Sequence, residues 1–280
     1  RRQKIRVCTS YEPLTFNLTE DGQQGVFKTP RGQKRVGFDR VLLAVGRSPN
    51  VEGLGLEPLG ISLAPQGTVD VDDYLSTAVP TISACGDVAG PYLFTHMASH
   101  QAWYATVNAL FGRFRKFKVD YSVVPWATFT DPEVARVGLN EQSAKALGIP
   151  YEVTRFALED LDRAITDSET KGFIKVLTPP GKDRILGVTI VGAHASDTLA
   201  EYVLAMKKGL GLNQILGTIH TYPTMAEALR LTKIDPAVSS ISQRRLVFFI
   251  GDPAMKLKFP SPNIRLTKIN DIPIGQATDT

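Results

Sequence analysis

The chain has 280 residues, 43% of them hydrophobic and 21% charged, with a net charge of +4 and a pI near 9.0. This is an ordinary globular balance, with room for two modest domains or one and a fragment of another. The basic residues are scattered among 28 acidic ones, which argues against a nucleic-acid partner, and no apolar stretch approaches the ~18 residues of a membrane helix.

The N-terminal part reads as short strands and turns. Lys4–Thr9 and Leu14–Thr19 are β-like runs on either side of Tyr11-Glu12-Pro13, and Glu20-Asp21-Gly22 signals a turn. Arg40–Val45 is a short, nearly all-apolar run. Such a run predicts a strand covered on both faces, as in a parallel sheet. Gly46 then allows a tight turn, and Pro49 ends further pairing. Thr81–Cys85 reads as a second apolar strand, ending in Gly86-Asp87. Its carboxylate is then presented at the carboxyl end of a strand, where open α/β sheets bind ligands. A helix is predicted from Thr95 to Phe111. His96 and His100 share one face of it, but the spacing lacks the glutamate of a zinc hydrolase, so no metal site is expected. Cys8 and Cys85 lie far apart and form no C-x-x-C pair. Together with the absence of a signal peptide at Arg1-Arg2-Gln3-Lys4, this sets a reducing, cytoplasmic setting as the expectation.

Residues 112–120 form a basic linker, and the domain boundary is expected there. Beyond it, strands are predicted at Val123–Phe129, Glu133–Val137, Tyr151–Ala157, Gly172–Leu177 and Ile185–Val191. Asn140 is expected to cap a helix ended by Gly148. Asp197 opens an amphipathic helix with Leu199, Tyr202, Val203 and Met206 at helical spacing, and Gly209 ends it. The segment His220-Thr221-Tyr222-Pro223-Thr224-Met225-Ala226-Glu227 then puts one imidazole ahead of a proline turn and one carboxylate seven residues later. Helix is expected over 224–230, with the turn folding His220 back over Glu227. A carboxylate on one ring nitrogen leaves the other free to move a proton. A helix start with an incidental histidine is the plainer reading of the same spacing.

Several of these stretches carry a resemblance. Ala44-Val45-Gly46-Arg47-Ser48-Pro49-Asn50, Thr81–Asp87, Phe129-Thr130-Asp131-Pro132-Glu133 and His220–Glu227 are similar to signature elements of the flavin-dependent pyridine nucleotide–disulfide oxidoreductases. That family includes dihydrolipoamide dehydrogenase, glutathione reductase and mercuric reductase. The resemblance implies an α/β fragment, made of partial FAD- and NAD(P)-binding domains, followed by an α+β dimerisation domain. Residues 1–50 take the place of the end of the NAD(P)-binding domain and 51–115 the end of the FAD-binding domain. Residues 121–232 are the dimerisation domain. The implied cofactors are FAD and NAD(P). Gly46, Arg47, Gly86, Asp87, Phe94, Thr95 and His96 fall at cofactor-binding positions, Asp87 on the ribityl chain and Phe94–His96 at the flavin pyrimidine edge. His220 and Glu227 become a catalytic pair acting across a homodimer on a small-molecule disulfide, dithiol or metal-ion substrate. Leu161-Asp162-Arg163-Ala164 leans towards the mercuric-reductase-like branch. Residues 235–280 leave the family pattern and faintly resemble the end of a gingipain-like peptidase domain of the type IX secretion sortase. They contain no Cys or His to carry such activity.

The family's chemistry also uses two G-x-G-x-x-G motifs and a C-x-x-x-x-C redox pair, and none of these occurs in the sequence. Two readings stay open: the C-terminal portion of an oxidoreductase, or a noncatalytic dimerisation module.

Overall fold

The computed structural model describes residues 5–19, 22–232, 268–269 and 272–273. The chain divides into two compact units, Arg1–Val119 and Asp120–Thr280. The tail expected to be foreign lies almost wholly outside the described residues, which there comprise only a two-residue pairing of β9 (Lys268–Ile269) with β10 (Ile272–Pro273).

The first unit opens with an antiparallel meander, β1 (Glu12–Thr19), β2 (Gly22–Thr29) and β3 (Gly32–Gly37). The β2–β3 turn is closed by Thr29, whose hydroxyl donates to the Gly32 carbonyl at 2.8 Å and accepts from the Arg31 amide at 3.2 Å. Phe16 meets Phe27 and Phe38 edge to face, which gives the ribbon its own small apolar cluster. Among the described residues, two strands predicted within residues 1–45 are absent. Residues 5–9 are irregular, and so is Arg40–Val45. In the latter run Leu42 is 90% and Val45 78% exposed. A strand needs a neighbour to satisfy its amides, and no strand among the described residues pairs with this one. The apolar reading of Arg40–Val45 thus describes a surface that stays uncovered in this chain. The predicted helix forms as α1 (Thr95–Phe111).

The second unit is built on a five-stranded antiparallel sheet in the order β4-β5-β8-β7-β6. Its strands are β4 (Pro125–Thr128), β5 (Glu133–Gly138), β6 (Glu152–Ala157), β7 (Phe173–Thr178) and β8 (Gly187–Gly192). Alternation sets the faces. Ala135, Val137, Ile174, Val176, Val188 and Ile190 are buried in the core, whereas Lys175 points away and grips Glu141 with 2.7 Å contacts. Glu141 belongs to α2 (Glu141–Ala146), capped by Asn140, whose Oδ1 accepts from the Ser143 amide at 2.8 Å. The short α3 (Asp162–Thr166) follows β6. Helix α4 (Ala195–Lys208) lays Leu199, Tyr202 and Ala205 into the core, so the amphipathic face read from sequence is a core face here. Gly209 ends α4 at φ +68. Two more helices, α5 (Leu212–Gly217) and α6 (Glu227–Leu231), follow among the described residues.

Among the described residues no helix is long and apolar enough to cross a membrane. A close backbone approach in the second unit lies where β8 begins. A Cβ on Gly187 would stand 2.0 Å from the Leu139 carbonyl oxygen, whereas one on Gly217 meets nothing within 4 Å. Gly187→Ala should therefore cost this unit more than ~2 kcal/mol of stability in urea unfolding, and Gly217→Ala within ~0.5 kcal/mol.

Candidate functional site

The residues that the family resemblance assigns to cofactor binding gather in the first unit around one turn. Thr81–Cys85 is not the predicted strand. It makes an isolated bridge, Ser76 to Ser83, and the Ile82 carbonyl is taken by both the amide and the hydroxyl of Thr77. With its hydrogen-bonding capacity turned back on a local loop, the run has no ladder to join. A 3₁₀ turn, Gly86–Val88, follows with Gly86 at φ +79. It carries Asp87, whose carboxylate pairs with Arg47 at 3.1 Å and keeps 38% of its side chain exposed. Gly46, just before that arginine, has φ +126, a conformation suited to glycine. Phe94 is the N-cap of α1, Thr95 its first residue, and His96 stacks on Phe94 at 5.2 Å. Thr95 and His96 are exposed. The set offers an accessible carboxylate that accepts hydrogen bonds from hydroxyls, a polyol's among them, beside a helix start. That fits the ribityl and ring side of a flavin. Among the described residues no cluster of three or more His, Cys, Asp or Glu is arranged to hold a metal.

The second set belongs to the other unit and surrounds residues 218–227. The expected helix over 224–230 begins only at Glu227, so Glu227 is the first residue of α6 and not a turn into it. His220 does not hydrogen-bond Glu227. Its Nε2 faces Glu201 of α4, 3.0 and 3.1 Å from the two carboxylate oxygens, and its Nδ1 lies 2.9 Å from the Thr218 carbonyl. A carbonyl only accepts, so Nδ1 is the donor of that bond. The imidazole is 4% exposed. Both nitrogens are thus engaged inside the chain, and the free nitrogen that the sequence reading needed is taken up by Glu201. That partner lies 19 residues away on another helix, and no local spacing announces it.

Glu227 itself is 4% exposed. Burial first, and then the nearby Asp162 charge, push its pKa up, while Arg230 and His220 pull it down less. Tyr222 stands outward at 57% exposure and donates its hydroxyl to Asp162 at 3.0 Å. Asp162, noted in sequence only as part of Leu161–Ala164, therefore faces two residues of the segment.

Residues 124–232 match the dimerisation domain of the pyridine nucleotide-disulphide oxidoreductases, and residues 1–102 match the pyridine nucleotide-disulphide oxidoreductase domain. The chain belongs to this family. Dihydrolipoamide dehydrogenase of Chaetomium thermophilum is 37% identical over 232 residues, covering 82% of this chain and 45% of the relative. Dihydrolipoyl dehydrogenase of Chlamydia muridarum is 40% identical over 190 residues, 68% of this chain and 40% of the relative. Among solved structures, the HOCl-induced flavoprotein disulfide reductase RclA of Escherichia coli superposes with a TM-score of 0.68 at 26% identity, over 79% of this chain and 50% of that one. LpdA of Mycobacterium tuberculosis superposes with a TM-score of 0.73 at 23% identity, over 88% and 50%, and speaks for the fold alone. The pyridine nucleotide–disulphide oxidoreductase chain described here thus spans about half the length of such relatives or less.

The buried acid gives a pH test. A carboxyl whose folded pKa lies above its ordinary value of 4.5 adds most to stability when protonated, and that contribution is lost as pH rises through the folded pKa. Glu227→Gln should therefore stabilise the protein relative to the parent at pH 7 to 8, with the gap closing as pH falls towards 4.5. Urea midpoints across that range measure it.

Proposed function

We propose that this chain is the C-terminal portion of an FAD-dependent oxidoreductase that couples NAD(P) to a dithiol–disulfide pair and works as a homodimer. The family match carries the reading. The dihydrolipoyl names of the relatives favour a small dithiol or disulfide over a metal ion as substrate. Residues 1–50 and 51–115 are assigned to the ends of the NAD(P)- and FAD-binding domains, and 121–232 to the dimerisation domain. The flavin, when bound, supplies the electron transfer between nicotinamide and sulfur. In this chain Asp87 holds it, supported by Gly86, Gly46 and Arg47, with Phe94, Thr95 and His96 at its ring.

The acid–base work is assigned to His220, with Glu201 in the orienting part that the sequence reading gave to Glu227. The 3.0 Å carboxylate–imidazole contact supports this. Glu201 keeps 34% of its side chain exposed, so it is the more accessible end of the pair. Glu227 remains in the same segment as a buried acid. Ile219 and Phe129, 96% and 78% exposed, are apolar surface of the kind a second copy covers. One observation favours the rival reading, a noncatalytic dimerisation module: both His220 nitrogens are occupied within the chain.

The two readings separate in the intact flavoenzyme. His220→Gln should keep the flavin bound and slow dithiol turnover by ~10²- to 10⁴-fold, the usual worth of a positioned acid–base. Glu201→Gln should follow it, and Glu227→Gln should cost less. Reduction of a flavin-reducible dye by NAD(P)H should stay unchanged in all three. Dithiol turnover within about twofold of the parent in His220→Gln, far below the general acid–base range, leaves only the module.

A further inference from the structure

Gln101 has no role in the family resemblance as read above, yet it is fully buried, at 0% exposure. A buried amide is costly unless its oxygen and nitrogen are both engaged. Here its Oε1 accepts from the Gly86 amide at 2.6 Å, and its Nε2 donates to the Gly90 carbonyl at 2.6 Å. The side chain therefore grips both ends of the short loop that carries Asp87. Ala98 lies one turn before Gln101 on the same face of α1. Its Cβ stands 3.2 Å from where a Gly86 Cβ would be, so the loop sits directly on that face. Leucine at position 101 would fill the space and leave two buried backbone groups without partners.

From this geometry we infer that Gln101 is a positioning residue for the cofactor site: it sets Asp87 in place relative to the first turn of α1, Phe94 to His96. The inference rests on the reading that Asp87 holds the flavin. A glutamine is the natural side chain for this task. It supplies one acceptor and one donor at the same reach, where glutamate when ionised supplies only acceptors and leucine neither.

The test uses the flavin-loaded parent enzyme with Gln101→Leu, Gln101→Glu and the control Asp87→Ala. Flavin dissociation constants are read at a temperature where each apoprotein remains folded, and exchange of the Gly86 amide is followed alongside. Gln101→Leu should weaken flavin binding ~10- to 100-fold, the scale of a buried hydrogen bond left unmade, and speed Gly86 exchange. Gln101→Glu should keep Gly86 protected, since the acceptor survives, and still weaken flavin binding because the Gly90 carbonyl loses its donor. If Gln101→Leu fails to fold, Gln101→Glu alone carries the test. Flavin affinity within twofold of the parent in the folded Gln101 variants, with Asp87→Ala clearly impaired, overturns the positioning role, even if the variants melt earlier. Unimpaired affinity in Asp87→Ala overturns the underlying reading of Asp87.

Discussion

The contact between His220 and Glu201 governs what the C-terminal segment can do. It ties residues 218–227 to helix α4, and α4 is itself anchored by Leu199, Tyr202 and Ala205 in the core of the sheet. The segment's chemistry is thereby referred to a rigid element rather than to its own loop. The same contact limits it: an imidazole that donates to a carbonyl on one side and meets a carboxylate on the other has no idle nitrogen. Any proton it passes on must move through one of those two bonds or follow the release of one. Glu227, next in the segment, is held back by burial and by the charge of Asp162.

In the first unit, local devices form as the sequence suggests and the longer-range pairing does not. The turn around Asp87 is one such local device. Gly86, Asp87, Arg47 and α1 are joined by short-range bonds that need nothing from outside the unit. The expected strand at Arg40–Val45 does not form among the described residues. Arg40–Val45 has the composition of an interior strand, but such a strand is defined by its neighbours, and no described strand stands beside it. Its exposed Leu42 and Val45 are an association hazard for this chain.

Most of the second unit was legible in the sequence, because its elements are amphipathic and punctuated by their own residues. Asn140 caps where the spacing says it should, Gly209 ends α4, and β5 to β8 fall within two residues of their expected ends. What was not legible is everything decided by distant partners. Thr77 captures the Ile82 carbonyl and cancels a strand. Glu201, 19 residues from His220, replaces the carboxylate that lies seven residues away. Gln101 reaches back 15 residues to Gly86. Periodicity reports which side of an element is apolar. It carries no information on which polar side chain of another element will arrive first.

The central claim is that the second unit is a dimerisation domain whose copies meet to complete a shared site. Sedimentation equilibrium of the isolated segment 120–232, which contains the whole five-stranded sheet, tests this most directly. The account predicts a two-fold dimer at micromolar concentration, weakened by replacing the exposed Ile219 with Asp. A folded segment that sediments as a monomer throughout that range would contradict it and remove the basis for a site shared between copies.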